Sequence, residues 1–569
     1  MNVLLVGVNA KYIHSTLAVR YLKSYTKDMD YNCDIMEFSV NDRVERIVEE
    51  IMERKPRLLG FSCYIWNIEY ITRITTLIKL IDSSIEIFYG GPEVSYDSEN
   101  FLKANCGEYV IEGEGEETYR EFIYTKIKEY KNEEIDCSNI RGLYSKKSGQ
   151  IYYGGNRPLM DMNKIVFPYE ENEELAHKIV YYEASRGCPF NCKYCLSSTF
   201  HGVRFIDIEK VKKDLKYFVD NKVRLVKFVD RTFNCNESFA NKIWNYLIEL
   251  GGDTRFHFEI SADLLSSRSI ETLSKAKKGL FQFEVGVQTT NDKILNNINR
   301  NVNFSTIKEK VEELKCLKNI MQHLDLIAGL PGEDFNSFKK SFNDVYAIEP
   351  DELQLGFLKL LKGSSMREEA EKWDMNYSPY PPYEILKTKN ISYNELIRLK
   401  HIEHMVDKYL NSGKFNNILK YFVESDLFDT PFDFYEQLSL FYKEKGYFKR
   451  NISSSEYYKV FFDFNNEILS MNSKLLCDII KFDYLTYNKK RGIPDFFYRE
   501  SDKNIEKQIK EKLINNNLIS SVNDIHIEKF NYDLNQYFVN RLITKKDFYV
   551  GFSNSSNNVL MDLGIYLKN

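Results

Sequence analysis

The stretch Cys188-Pro189-Phe190-Asn191-Cys192-Lys193-Tyr194-Cys195 constrains this chain more than any other, because it sets three thiols in one short loop at C-x3-C-x2-C spacing. Cysteine spacing of this kind points to metal. A closed structural zinc site takes four protein ligands, and the loop offers no fourth Cys or His. The spacing therefore describes a 4Fe-4S cluster on Cys188, Cys192 and Cys195, with one iron open to a small-molecule ligand. Three unrelated buried cysteines, or a zinc site completed from elsewhere in the fold, are the alternatives.

At 569 residues the chain is too long for one ordinary domain and points to three or four. Lys+Arg 78 against Asp+Glu 83 gives a formal net charge of -5, so no overall basic field advertises nucleic acid or an anionic membrane. No run approaches the length of an apolar spanning helix. The opening Met1–Val8 reads as a buried strand and not as a signal peptide. Outside the central loop the cysteines are scattered, as reduced thiols in a cytoplasm would be.

Over residues 1–128, short β-branched runs alternate with amphipathic segments, the pattern of a parallel sheet wrapped by helices. Five strands are expected, near Val3–Val8, Asn32–Phe38, Leu58–Cys63, Ile85–Tyr89 and Tyr109–Glu112, which makes a flavodoxin-like (Rossmann-type) domain. Ser15 or Thr16 is the expected cap of its first helix. In such sheets ligands sit beyond the carboxyl ends of the strands. Those ends carry Asn9 to His14, Ser62 to Tyr64, the run Gly90-Gly91-Pro92-Glu93 and the run Gly113-Glu114-Gly115-Glu116. Residues 129–178 read as a connector with a small β element near Gly142–Tyr153.

From residue 179 to 363 strands and helices alternate again. Six strands are expected, near Ile179–Ser185, Arg224–Val229, Arg255–Ser261, Phe281–Val287, Gln322–Ala328 and Glu352–Phe357, with Asp207 capping the helix after the first. Polar residues collect at the strand ends: Asp230, Glu259, Ser261, Glu284 and Gln288, with Arg300 farther on. Residues 364–569 are mixed and mainly helical. Helices are expected over Arg367–Trp373 and Tyr383–Tyr409, parted by the proline-rich loop 378–382, and a β meander over Asp524–Tyr566. No chemical motif appears there.

The thiol loop, with aromatic Tyr194 directly before its last Cys, resembles the signature loop of radical S-adenosylmethionine (SAM) enzymes. The resemblance implies that the six βα units form a partial, TIM-like (βα)6 barrel and that the open iron chelates SAM. It also implies that Tyr194, Asp230, Glu259, Ser261, Glu284, Gln288 and Arg300 surround SAM. Ahead of that barrel, Ser62 and the Gly90-Gly91 pair match two of the three motif elements of cobalamin-binding folds. The third, D-x-H-x-x-G after the first strand, is absent, which leaves the lower ligand of cobalt open. Asn9, His14, Ser62, Tyr64, Gly90, Gly91, Pro92, Glu93, Gly113, Glu114, Gly115 and Glu116 are the expected cobalamin contacts, and Asn9-Ala10-Lys11-Tyr12-Ile13-His14 looks like the opening motif of a cobalamin-binding radical SAM group. A related branch, the methylthiotransferases, carries a second cluster on three N-terminal cysteines. Of Cys33, Cys63 and Cys106, only Cys63 falls at a strand's carboxyl end, so no second cluster is expected. The resemblance implies methyl transfer through cobalamin to an unactivated carbon of an unidentified substrate, with an electron donor such as flavodoxin or ferredoxin. A rearrangement or cyclisation without methylation, and a non-catalytic sensing module, are the other readings.

Overall fold

The computed structural model describes residues 1–569 apart from 12–13, 134–135, 171–172, 200–201, 470–472, 489–492, 499–501 and 568–569. Tyr12 and Ile13 of the opening motif thus lie outside the described residues. The chain divides into two compact units, the first made of residues 1–341, 348–350 and 355–396 and the second of 342–347, 351–354 and 397–569.

The first unit holds two main sheets. In one, β1 (Asn2–Asn9), β2 (Asn32–Ser39), β3 (Leu58–Ser62), β4 (Glu86–Gly90) and β5 (Tyr109–Ile111) run parallel. β6 (Leu143–Lys147) and β7 (Gln150–Tyr153) add an antiparallel edge, giving the order β2-β1-β3-β4-β5-β6-β7. The first five strands have the flavodoxin-like order, whose switch point lies between β1 and β3. Both faces are covered: Leu4, Val6 and Val8 join one core, and Val3 and Leu5 the other. Burial on two sides is why these strands read as unbroken apolar runs. The expected connector is therefore partly sheet, since its β element pairs Ser145 with Tyr109 of β5.

The other sheet is an open, partial (βα)6 barrel. Its strands are β8 (Ile179–Tyr182), β11 (Leu225–Phe228), β12 (Arg255–Ile260), β13 (Phe281–Gln288), β14 (Met321–Ala328) and β15 (Glu352–Phe357), in the order β15-β14-β13-β12-β11-β8. The expected first strand is split. β8 stops at Tyr182, and the chain enters an antiparallel hairpin of β9 (Ser185–Cys188) and β10 (Gly202–Phe205) that carries the first thiol. Asp207 caps the following helix, Ile208–Asp220, by accepting from Glu209 N at 3.0 Å. The outer strand faces are apolar and buried, with Val226, Phe228, Phe256, Phe258, Phe281, Phe283, Leu324 and Leu326 all at 3% exposure or less.

The first unit extends to Leu396, beyond the expected boundary at 363. Residues 383–392 are not helical. Tyr383 has a φ of +57°, the short strand Ile385–Lys387 pairs with Asn376–Tyr377, and the helix begins at Tyr393. The second unit packs helices such as Pro431–Glu444, Ser454–Phe464 and Ser473–Tyr487 with a three-stranded sheet of Ile525–Tyr532, Lys545–Ser553 and Val559–Leu560. Among the described residues no helix is long and apolar enough to cross a membrane.

Candidate active site

The thiol loop is pinned from several sides. Lys193 N donates to Ile298 O at 3.0 Å, Met366 N to Lys193 O at 2.9 Å, and Lys193 Nζ pairs with Glu369 at 2.8 Å. Cys192 is buried, and burial raises its thiol pKa against the opposing pull of Arg300, whose Nη1 lies 3.9 Å from the sulfur. Cys188 Sγ sits 3.6 Å from Thr232 Oγ1. Among the described residues no three His, Cys, Asp or Glu side chains converge on a single metal ion. A cluster spreads its thiolates over different irons, and three thiols on one anchored loop fit that donor set.

Beside the loop, Arg300 Nη2 donates to Gly286 O at 2.5 Å, while its Nε is buried without a partner. Gln288 follows a bulge in β13, has a φ of +70°, and buries an unpartnered Oε1. Strand register sets Glu259 opposite Glu284. Burial and the neighbouring Glu284 raise Glu259 to about 7 against the pull of Arg231, 3.9 Å away. Tyr194 is half-buried, and its phenol is pushed up by burial despite Arg300. These residues leave polar atoms open at the barrel mouth, as a SAM pocket requires.

Two expected SAM contacts are engaged within the fold. Asp230 is 1% exposed and accepts from Ala184 N at 3.0 Å and Ser185 Oγ at 2.5 Å, fastening the thiol hairpin to the end of β11. Burial raises its carboxyl to about 7. Ser261 is held by Asn234 through two hydrogen bonds, and its hydroxyl donates to Asp263 at 2.5 Å.

At the first sheet, the Ser62 hydroxyl is buried at the end of β3 with no partner. Asn67 Nδ2 bridges the switch point, donating to Val8 O at 3.0 Å and Ser62 O at 2.9 Å. Tyr64 stacks on Trp66 at 4.4 Å between ring centroids, and Trp66 stays 47% exposed. After β4, Gly91 has a φ of +111°, and a Cβ there would meet Cys63 O at 2.6 Å, whereas one on Gly90 would meet nothing nearer than 3.7 Å. Pro92 opens the short helix Pro92–Ser95, and Gly113 and Gly115 shape the turn into the helix Gly115–Tyr130. An orphaned hydroxyl, a glycine-walled edge and an exposed aromatic pair fit a large flat cofactor such as cobalamin.

The other expected cobalamin contacts each have partners within the chain. Glu93 is buried against Lys362 at 3.2 Å and the Tyr383 hydroxyl. Glu116 binds Arg186 at 2.7 Å, and Glu114 binds Arg204, whose Nη1 also donates to Met160 O at 2.7 Å. Asn9 organises its own loop, donating to His14 O at 3.0 Å and accepting from Thr16 Oγ1 at 2.9 Å, so the Thr16 hydroxyl is not a helix cap. His14 turns its ring toward the barrel: its Nδ1 lies 2.5 Å from the Tyr181 hydroxyl on β8. Cys33 and Cys63 serve opposite faces of the first sheet, one in each core, so they do not converge.

Sequence reasoning missed Trp66, Asn67, Arg186, Arg204, Lys362 and Tyr383. Arg186 alone carried a signal, standing two residues before Cys188. The hairpin of β9 and β10 is thus ion-paired to the turn after β5, which joins the thiol loop to the ligand edge of the first sheet.

Three family models match the chain in series: a B12 binding domain over residues 3–123, the radical SAM superfamily over 182–345, and a protein of unknown function (DUF4080) over 371–552. An uncharacterized methyltransferase of Pyrococcus horikoshii is 22% identical over 406 residues, covering 67% of this chain and 85% of that protein. The cobalamin-dependent radical SAM methyltransferase TokK of Streptomyces tokunonensis is 22% identical over 364 residues, 60% of this chain and 52% of TokK, so the chain spans about half of that relative. Among solved structures, the cobalamin-dependent SAM radical enzyme OxsB, with aqua-cobalamin and SAM bound, is similar at a TM-score of 0.59 and 14% identity, covering 91% of this chain and 81% of OxsB. The radical SAM methyltransferase TsrM from Kitasatospora setae, with cobalamin and a 4Fe-4S cluster bound, follows at 0.55 and 15%, covering 67% and 82%. At these identities the two structures speak for the fold.

Proposed function

We propose that this chain, which carries a B12 binding domain and a radical SAM domain in series, is an enzyme that transfers a methyl group to an unactivated carbon of its substrate. The observation that carries the reading is the ion-paired junction of Arg186 and Arg204 with Glu116 and Glu114, which holds the thiol hairpin against the Ser62 and Gly90-Gly91 edge. When bound, the cluster with SAM supplies a 5'-deoxyadenosyl radical and cobalamin supplies the methyl group.

The protein's part is position and exclusion of water. Cys188, Cys192 and Cys195 would hold the cluster, and Glu259, Glu284, Gln288 and Arg300 would orient SAM at the barrel mouth. Ser62, Tyr64 and the glycine edge would seat cobalamin. The curated relatives support methyl transfer, since three of them are named methyltransferases. Scattered thiols and an oxygen-sensitive cluster suit a cytoplasmic enzyme working without oxygen, supplied with electrons by a flavodoxin or ferredoxin.

Anaerobic incubation with SAM labelled in its methyl group, cobalamin, a reductant and an extract of the source cell tests the reading. The expected result is 5'-deoxyadenosine together with a methyl-labelled product, both lost in Cys188→Ala, Cys192→Ala and Cys195→Ala. Wild-type cleavage in any of these variants would remove the cluster assignment. A product without label would replace methylation by rearrangement.

A further inference from the structure

The barrel's inner face differs from an ordinary barrel core. Barrel interiors are filled with layers of bulky branched side chains. Here the outward positions are apolar, and the middle inward positions, which alternate with them, are polar. Strand register sets Tyr181 of β8, Lys227 of β11, His257 of β12 and Gln282 of β13 side by side in one row below Glu259 and Glu284. His323 of β14 extends the row through Gln282 Nε2, 2.6 Å from its own Nε2. His14 reaches its open end through the Tyr181 hydroxyl.

In this row a half-buried cation stands unpaired, and a buried imidazole beside it lacks what buried polar groups ordinarily have. Lys227 Nζ has no hydrogen-bond or ion-pair partner among the described residues. His257 is 3% exposed, and its Nδ1 is bonded to nothing; its Nε2 lies 3.1 Å from Glu284 Oε2 but outside hydrogen-bond geometry. The charge of Lys227 is felt around it. After burial it is the main cause that lowers the pKa of both His257, to about 3, and His14. Both imidazoles are therefore neutral, each with one N–H to donate, around a single cation.

We infer that this barrel floor binds the anionic end of the substrate, a carboxylate or a phosphate monoester, seated on Lys227 with the His257 imidazole beside it. The inference rests on the barrel being the reaction chamber, as proposed above. An anion completes the charge of Lys227 and offers an acceptor to the orphaned imidazole, whereas a cation would be repelled. The acidic level above, with Glu259, Glu284 and Asp325, is left to the cationic cosubstrate. The substrate's reacting carbon would then lie between floor and cluster.

Calorimetric titration of the full-length, cluster-loaded protein with inorganic phosphate in one arm and acetate in the other tests this. Saturable one-site binding is expected in at least one arm, the tighter arm naming the source of the anion. Lys227→Met should weaken it about ten-fold or more, the equivalent of one charge-assisted contact, and Lys227→Arg should restore it. Matching iron content and melting temperature would show that the variants are folded. Should Lys227→Met fail to fold, acylation of Lys227 in the wild type, read by mass spectrometry, must be slowed by the bound anion. No saturable binding in either arm, equal affinity in Lys227→Met, or no protection of Lys227 would overturn the inference. Loss of SAM cleavage would count against the proposed function instead, because anion binding does not require it.

Discussion

At single residues, the structure separates groups that hold the fold from groups that await a ligand. Asp230 is of the first kind. The folded chain keeps its proton to about pH 7, whereas the unfolded chain releases it near the ordinary 3.8. Between those values the folded state binds more protons, so stability falls as pH rises through that window and is greatest below it. Asp230→Asn should flatten this slope in melting temperature against pH while leaving SAM affinity unchanged; weakened SAM binding with an unaltered slope would return Asp230 to the SAM pocket. The two glycines after β4 separate in the same way. Gly91→Ala forces a Cβ onto Cys63 O at a φ of +111°, a strain of about 1–3 kcal/mol visible without any cofactor. Gly90→Ala has room and should shift the cofactor-free protein by no more than about 0.5 kcal/mol, yet hinder a cofactor pressed against that edge, as cobalamin retention after gel filtration would show. The thiols and the glycine pair were legible because chemistry fixes their spacing. The roles of Asp230, Glu116 and His14 were not, since their partners Ser185, Arg186 and Tyr181 lie between 45 and 167 residues away.

Among the elements, strands were legible wherever β-branched runs were buried on two faces, and β1 to β5 fall where the pattern set them. The hairpin of β9 and β10 was not, because the ion pairs that tie it to the turn after β5 join residues far apart in the chain. Arg186 meets Glu116 at 2.7 Å and Glu183 at 2.8 Å, with its side chain 19% exposed and that of Glu116 6% exposed. Removing one partner of such a pair leaves the other charge incompletely matched. Glu116→Ala should therefore destabilise the first unit by about 3 kcal/mol, the lower end for a broken buried pair because Glu183 remains. Urea unfolding would measure it, and a loss below about 0.5 kcal/mol would mean that the pair contributes no more than a surface contact. Residues 383–392 failed as a helix for a similar reason: the left-handed Tyr383 and the strand Ile385–Lys387 answer to contacts with Glu93 and Asn376–Tyr377 that no local propensity encodes.

For the whole molecule, ligand binding and folding are one equilibrium. Cobalamin at about 100 times its Kd should stabilise the first unit by about 2.7 kcal/mol, with slower amide hydrogen exchange at residues 62–67 and 90–95 as the local signature. Exchange unchanged there would place the cofactor elsewhere. The barrel has one further debt to its neighbour. β8 is an edge strand, and what lies along it is the loop after β1: His14 makes a parallel bridge with Ile179, and Ser15 Oγ donates to Ile179 O at 3.4 Å. An uncovered edge of this kind invites pairing with foreign strands. The wall of the barrel is thus finished by a segment translated some 165 residues earlier, so a barrel cut free of that segment would leave the seam at β8 open.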